Sequence, residues 1–156
     1  MPTRKTTLTR RELVRTTTKF FDLHWAKGEE GPAWTAKLYT GDGHVPHGDK
    51  PGCYAIVRDD FIHYLGIGAA RCNDRYPNHG LAARTHNYVR RDFEASRKHP
   101  EKQPVWRFCD KKDSGLYVIP FPAKRAYMAF ALEAFLINRL AEKHRLDNIR
   151  GLATSQ

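Results

Sequence analysis

The chain has 156 residues, of which 40% are hydrophobic, so it suits one compact domain and is too short for two domains of ordinary size. Its three cysteines form no close pair, so neither a disulfide framework nor a four-thiolate zinc site is predicted. Lys and Arg number 27 against 17 Asp and Glu, giving a formal net charge of +10. This charge favours a polyanionic partner, with nucleic acid as the leading candidate and an anionic membrane surface as the alternative.

The amino terminus does not resemble a signal peptide, because residues 1–19 are rich in Thr, Arg and Lys and hold only scattered apolar residues. The apolar run around Glu133 is too short and too interrupted to span a bilayer. We therefore expect a cytoplasmic protein without a membrane partner.

Residues 1–50 are predicted to form a basic extension of one helix and a loop. Residues 1–27 carry seven Lys or Arg against two acidic residues, and their loose apolar face predicts an amphipathic helix from about Thr9. Residues 34–39 are predicted to form a short strand. Four glycines and two prolines between Gly41 and Gly52 mark a loop, so we place the main domain at residues 51–156.

The main domain begins with a predicted hairpin, in which residues 52–57 and 61–66 form strands joined by Arg58, Asp59 and Asp60. The later elements are a loop to Gly80, a helix over residues 81–94, strands at 105–109 and 116–119, and a long helix from about 123 to 144. This order predicts an α+β domain with a small, mostly antiparallel three-stranded sheet flanked by helices.

Two tyrosines lie in the predicted hairpin, Tyr54 in the first strand and Tyr64 in the second. A three-residue connection would place them directly opposite each other on one face, whereas a two-residue turn would place them on opposite faces. Tyrosine is also favoured in strands for structural reasons alone.

Glu133 is the residue that most clearly suggests a functional site. On a helix its neighbours one turn away are Ala129, Phe130, Leu136 and Ile137, which are all apolar. A carboxylate on such a stripe loses hydration, so it is usually kept where an arginine, another cation or a metal ion offsets the cost. The alternative is a glutamate at the rim of the stripe with a structural partner.

Arg84 and Tyr88 are four residues apart on the predicted second helix, so a cation and a phenol can point in the same direction. Together with the motifs Gly52-Cys53-Tyr54 and Tyr64-Leu65-Gly66, with Glu133 before its apolar neighbours, and with Asn148, they form an ordered series. This series resembles the motifs of the GIY-YIG nuclease superfamily over roughly residues 52–151.

The resemblance implies a site that hydrolyses phosphodiester bonds. Glu133 would hold a single Mg²⁺ or Mn²⁺ ion, and Arg84 would bind the scissile phosphate. Tyr54 is the first choice for the general base or water-orienting group, with Tyr64 and Tyr88 as hydrogen-bonding partners. Because a free phenol has a pKa of about 10, such a base needs a cation nearby. Asn148 would support the site by hydrogen bonding.

The chain departs from the family pattern in three places. Cys53 replaces an aliphatic residue, and Ile67 and Gly68 stand where many members carry a polar residue. An apparent insertion at residues 71–79 contains Arg71 and Arg75, which could contact DNA or lie on a solvated loop. Arg90 and Arg91 are likewise candidates for contact with backbone phosphates.

These features together predict a metal-dependent DNA endonuclease, of the restriction type, that acts on double-stranded DNA. Cutting both strands would normally call for a homodimer, with the amino-terminal helix as a candidate interface. The alternative is a non-catalytic nucleic-acid-binding protein that retains the nuclease fold.

Overall fold

A computed structural model describes residues 4–41, 43–69, 80–85 and 113–149. The elements in chain order are α1 (Arg10–His24), β1 (Gly52–Arg58), β2 (Phe61–Ile67), β3 (Gly115–Pro120) and α2 (Tyr127–Leu140). Residues 81–85 are helical, and short 3₁₀ turns lie at Ala123–Arg125 and Asp147–Ile149. The predicted strand at residues 105–109 and the predicted helix beyond residue 85 lie outside the described residues.

The three strands form one antiparallel sheet in the order β2-β1-β3. The central strand β1 is buried at every position from Gly52 to Val57. A strand covered on both faces is typically a continuous apolar run, as this one is. The predicted α+β class, the three-stranded sheet and the amino-terminal helix are therefore confirmed.

Alternate residues of β1 pack into two different layers. Cys53, Ala55 and Val57 belong to the larger buried cluster, which also contains residues of α1 and α2. Tyr54 and Ile56 belong to a second cluster on the other face of the sheet, with Leu81, Leu116 and Val118. The sheet is thus covered by two helices on one face and by a smaller apolar layer on the other.

Helix α1 begins where the sequence predicts it. The Thr9 side chain accepts a hydrogen bond from the Glu12 amide at 3.3 Å and so caps the helix. Phe20 of α1 and Leu8 before it are buried in the larger cluster, and the Ile62 amide of β2 donates to the Leu8 carbonyl at 2.8 Å. Residues on both sides of the predicted division at residue 50 therefore share one buried cluster.

The strand predicted at residues 34–39 is wrong. Thr35 and Tyr39 hydrogen-bond to β3, but bends at Ala36 and Lys37 separate them, and only an isolated bridge between Tyr39 and Leu116 forms. The Thr35 hydroxyl accepts from the Val118 amide, where a strand would use a backbone carbonyl. The segment covers the outer edge of β3 without adding a regular strand.

The hairpin turn has two residues, Asp59 and Asp60, and not the three that the sequence suggested. Both have positive φ, 52° and 66°, as a type I′ turn requires. The pairing changes register between Ile56 and Val57: Val57 lies opposite Ile62, whereas Ile56 lies opposite Tyr64. His63 is therefore an extra residue in β2, which is a β-bulge.

Asn148 closes part of the outer edge of β2. Its Oδ1 accepts from the Leu65 amide at 2.9 Å, and its Nδ2 donates to the Leu65 carbonyl at 2.6 Å. Next to it, Asp147 accepts from the Arg58 guanidinium at 2.9 Å across a partly buried ion pair. These contacts hold the segment after α2 against β2 and satisfy backbone groups that an edge strand leaves unpaired.

We expect Asn148→Ala to lower the free energy of unfolding by about 1 to 3 kcal/mol, because both backbone groups of Leu65 lose their partner. Urea unfolding followed by circular dichroism measures this. Asn138→Ala, at an exposed position of α2, is the control and should change stability by no more than about 0.7 kcal/mol. Equal effects of the two substitutions would contradict the proposed bracing role.

Candidate functional site

Tyr54 and Tyr64 lie on the same face of the sheet, and their ring centroids are 6.2 Å apart in a stacked arrangement. Neither register considered from the sequence is correct. Tyr54 pairs with Gly66, and Tyr64 pairs with Ile56, so the tyrosines are diagonal neighbours. The two-residue turn alone would have separated them onto opposite faces, but the bulge at His63 returns them to one face.

Gly66 makes room for the Tyr54 ring. A Cβ atom at residue 66 would lie 2.5 Å from the Tyr54 hydroxyl oxygen and 2.9 Å from a ring carbon. A side chain at residue 66 would displace the Tyr54 ring, so the glycine of the Tyr-Leu-Gly motif has a steric role here. It allows the Tyr54 ring to lie across β2.

The two tyrosines differ in their access to solvent. Tyr54 is fully buried, whereas Tyr64 is partly exposed. A group that exchanges a proton with water must come within hydrogen-bonding distance of that water. In this conformation Tyr64 meets that condition more readily than Tyr54.

The helical turn at residues 81–85 is attached to the tyrosine face. Leu81 belongs to the same buried cluster as Tyr54, and its amide donates to the Lys50 carbonyl at 2.9 Å. The Ala82 amide donates to the Gly48 carbonyl at 2.9 Å, so the preceding loop caps the first turn. A Cβ atom at Gly68 would lie 2.8 Å from the Leu81 Cα atom, which shows how closely the backbones approach.

Glu133 lies at the border of the buried stripe of α2 and is half-buried, which is the rim position that the sequence left as the alternative. Leu132 and Leu136 face the core, whereas Phe130 is 45% exposed. Burial raises the pKa of the Glu133 carboxyl group. The positive charge of the Arg84 guanidinium acts in the opposite direction and lowers this pKa.

Cys53 connects β1 with the turn of α2 that carries Glu133. Its thiol is buried and donates to the Ala129 carbonyl at 3.1 Å. Burial, and secondly the negative charge of Glu133, raise the pKa of this thiol well above its ordinary value. The thiol therefore stays protonated and acts as a packing and hydrogen-bonding group.

The structure places the predicted site residues on both faces of the sheet, with Tyr54 and Tyr64 on one face and the helix that carries Glu133 on the other. Tyr54 contacts Tyr64 on one face of the sheet, while Cys53 contacts the Glu133 turn on the other. Arg84 follows Leu81 by three residues, and its positive charge lowers the pKa of the Glu133 carboxyl group. Asn148 bonds to Leu65, the neighbour of Tyr64. Tyr88 and the predicted DNA-binding residues Arg71, Arg75, Arg90 and Arg91 lie outside the described residues.

Glu133 is the carboxylate of the predicted site that could hold a hard divalent ion. Within the described part of the chain, no group of three or more His, Cys, Asp and Glu side chains is placed to hold a metal. Magnesium commonly binds through one or two carboxylates and keeps several water ligands. A half-buried carboxylate whose pKa is raised by burial is also a group that a cation would stabilise.

The contact between Cys53 and α2 was not predicted from the sequence, where Cys53 stood only as a replacement for an aliphatic residue. Its position in the strand could have predicted this contact, because the side chains of residues 53 and 54 in one strand must point to opposite faces of the sheet. If Tyr54 faces one layer of the fold, Cys53 has to face the other. The bulge at His63 had no comparable signal in the sequence.

Comparisons of the chain with models of protein families, with curated proteins and with solved structures found no match. Among the described residues, no helix is both long enough and apolar enough to cross a bilayer.

We expect Glu133→Gln to stabilise the protein near neutral pH in metal-free buffer. Because the pKa is raised in the folded state, the unfolded chain loses this proton at lower pH than the folded chain does. Ionisation therefore favours unfolding as pH rises from the ordinary glutamate range through the folded-state pKa. The substitution removes this effect, and its stabilising effect should disappear below the ordinary range.

Urea unfolding at a series of pH values measures this difference. Glu142→Gln, at an exposed position just after α2, is the control and should show no such pH-dependent gain. A stability difference for Glu133→Gln that is constant with pH, or a loss at neutral pH, would contradict the burial effect.

Proposed function

We propose that the protein is a metal-dependent DNA endonuclease of the GIY-YIG type, which hydrolyses phosphodiester bonds in double-stranded DNA. The observation that carries this proposal is the stacked pair of Tyr54 and Tyr64 on neighbouring strands. The positive charge of Arg84, which lowers the pKa of the Glu133 carboxyl group, supports it. A cation, a carboxylate and phenols are the residue types that this hydrolysis needs.

Arg84 is the residue proposed to bind the scissile phosphate. Arg84 is exposed to solvent. A guanidinium binds phosphate oxygens through paired N–H donors. The same charge would stabilise negative charge that develops on the phosphoryl group during attack by water. The net charge of +10 supports a polyanionic substrate in general.

Tyr64 is better placed than Tyr54 to contact the attacking water, because Tyr54 is fully buried. We therefore assign Tyr64 the water-orienting role that the family resemblance suggested first for Tyr54. Tyr54 would position Tyr64 through the stacked contact. The positive charge of Arg84 would favour the ionised phenol that accepts a proton.

Glu133 would hold the divalent ion, Mg²⁺ or Mn²⁺. When bound, this ion supplies charge stabilisation for the phosphate oxygens and the leaving oxygen. Cys53 and the core residues of α2 set the position of Glu133 relative to β1. Restriction-type cutting of both strands would use two copies of the chain, one for each strand, and a cytoplasmic location fits this proposal.

A second candidate function is non-catalytic nucleic-acid binding on the same fold. The complete burial of Tyr54 favours it, because a buried phenol cannot contact water or substrate directly. The two functions differ in whether the protein cleaves DNA at all. In the nuclease Glu133 is required for cleavage, whereas in the binding protein it has only a structural role.

We expect the purified protein to cut plasmid DNA in the presence of Mg²⁺ or Mn²⁺, and Glu133→Ala to lower the rate by at least about 100-fold. Arg84→Ala should cause a loss of the same order. Gel analysis of supercoiled, nicked and linear plasmid measures both rates. Tyr64→Phe should lower the rate more than Tyr54→Phe, since only Tyr64 is partly exposed.

Glu142→Ala is the matched control, because it removes an exposed carboxylate from the segment just after α2. It should cut at the wild-type rate. Cutting by Glu133→Ala at that same rate would show that a contaminant or another site is responsible. Absence of cutting by the wild type with either metal over a range of salt would favour the binding protein.

A further inference from the structure

A groove of about 300 Å³ lies between α1 and the carboxyl-terminal half of α2. It is separate from the site that contains Arg84 and Glu133. Its lining is mostly polar and charged, and consists of Glu12, Arg15, Thr16, Lys19, Leu23, Phe135, Arg139, Leu140 and Lys143. Two helices that are distant in the sequence therefore build one concave surface.

Positive charge predominates in this groove. Arg15 and Lys19 come from α1, Arg139 comes from α2, and Lys143 follows α2. The one acidic lining residue, Glu12, accepts a hydrogen bond from Arg15 at 2.8 Å, so its charge is already paired. A concavity lined by one sign of charge concentrates the field and attracts anions.

Arg139 is held in place by an aromatic ring. Its guanidinium carbon lies 5.2 Å from the centroid of the Phe135 ring, and that ring packs at 5.4 Å from the Phe20 ring. A stacked guanidinium loses less freedom when it binds an anion, and its N–H donors remain in its plane for phosphate oxygens. This arrangement is suited to binding a phosphodiester.

The groove and Glu133 lie at opposite borders of the buried face of α2. With 3.6 residues per turn, Phe135 and Arg139 fall on one side of Leu132 and Leu136, and Glu133 falls on the other. Nucleic acid bound in the groove would therefore contact α2 away from Glu133.

We propose that this groove binds phosphate groups of the DNA backbone and forms a second contact with the substrate, away from the cleavage site. The choice of DNA as the occupant rests on the proposed nuclease function. A membrane surface fits less well, because the apolar residues of α1 that a bilayer would receive, Leu13 and Phe20, are buried in the core. Among the large apolar residues of α1, only Leu23 is exposed, with 66% of its surface accessible, so the helix offers a bilayer little apolar surface.

The test uses the full chain with a fluorescent DNA duplex and EDTA, so that binding is measured without cleavage. We expect the triple variant Lys19→Gln, Arg139→Gln, Lys143→Gln to bind at least about tenfold more weakly at moderate salt. The slope of log affinity against log salt should fall by about 2 to 3, since each lost phosphate contact contributes about 0.9. Thermal melting checks that the variant is folded.

The matched control is Arg11→Gln, Lys27→Gln, Lys37→Gln, which removes the same charge from exposed positions outside the groove. An equal loss of affinity in this control would overturn the proposal in favour of net charge alone. Unchanged DNA binding by the groove variant, with loss of its binding to anionic lipid vesicles, would overturn it in favour of a membrane. If the triple variant does not fold, the single substitutions Lys19→Gln, Arg139→Gln and Lys143→Gln provide the same measurement, and wild-type affinity in all three would overturn the proposal.

The two proposals can fail separately. A wild type that does not cut plasmid, combined with weaker DNA binding by the groove variant, would remove the nuclease function and leave the groove. A wild type that cuts plasmid, combined with wild-type DNA binding by the groove variant, would remove the groove alone.

Discussion

The rest of the structure depends on one constraint: β1 is buried on both faces, so its adjacent residues must serve different layers. Cys53 faces α2 and fixes the turn that carries Glu133, while Tyr54 faces the smaller layer with Leu81 and Tyr64. Burial on both sides leaves little freedom for β1 to shift, because a one-residue slip would exchange the two layers. The relative positions of the carboxylate and the tyrosines follow from this strand.

Local features of the fold were predictable from the sequence. The Thr9 cap, the apolar face of α1 and the two runs of the hairpin are patterns within a few neighbouring residues, and each element begins close to its predicted place. The failures involve non-local packing. The bulge at His63 is set by the pairing of two strands, and residues 34–39 follow the edge of β3 with bends that no local pattern indicates.

The local features of the candidate site were likewise predictable from the sequence, whereas its tertiary contacts were not. The apolar neighbours of Glu133 indicated an unusual carboxylate, but helix periodicity could not determine on which border of the stripe it lies or that the charge of Arg84 would act on it. The bracing of β2 by Asn148 and the groove between α1 and α2 both join segments more than 80 residues apart. Such contacts depend on tertiary packing, whereas Gly66 could be recognised from its motif and explained only by the Tyr54 ring above it.

The central claim is that Glu133 and the stacked tyrosines belong to one metal-dependent site. Paramagnetic broadening by Mn²⁺ tests this directly in protein with ¹³C-labelled tyrosine rings, whose signals are assigned by Tyr→Phe substitutions. We expect low concentrations of Mn²⁺ to broaden the Tyr54 and Tyr64 signals in the wild type and to leave them sharp in Glu133→Gln. Signals that stay sharp in the wild type, or that broaden equally in Glu133→Gln, would contradict the claim.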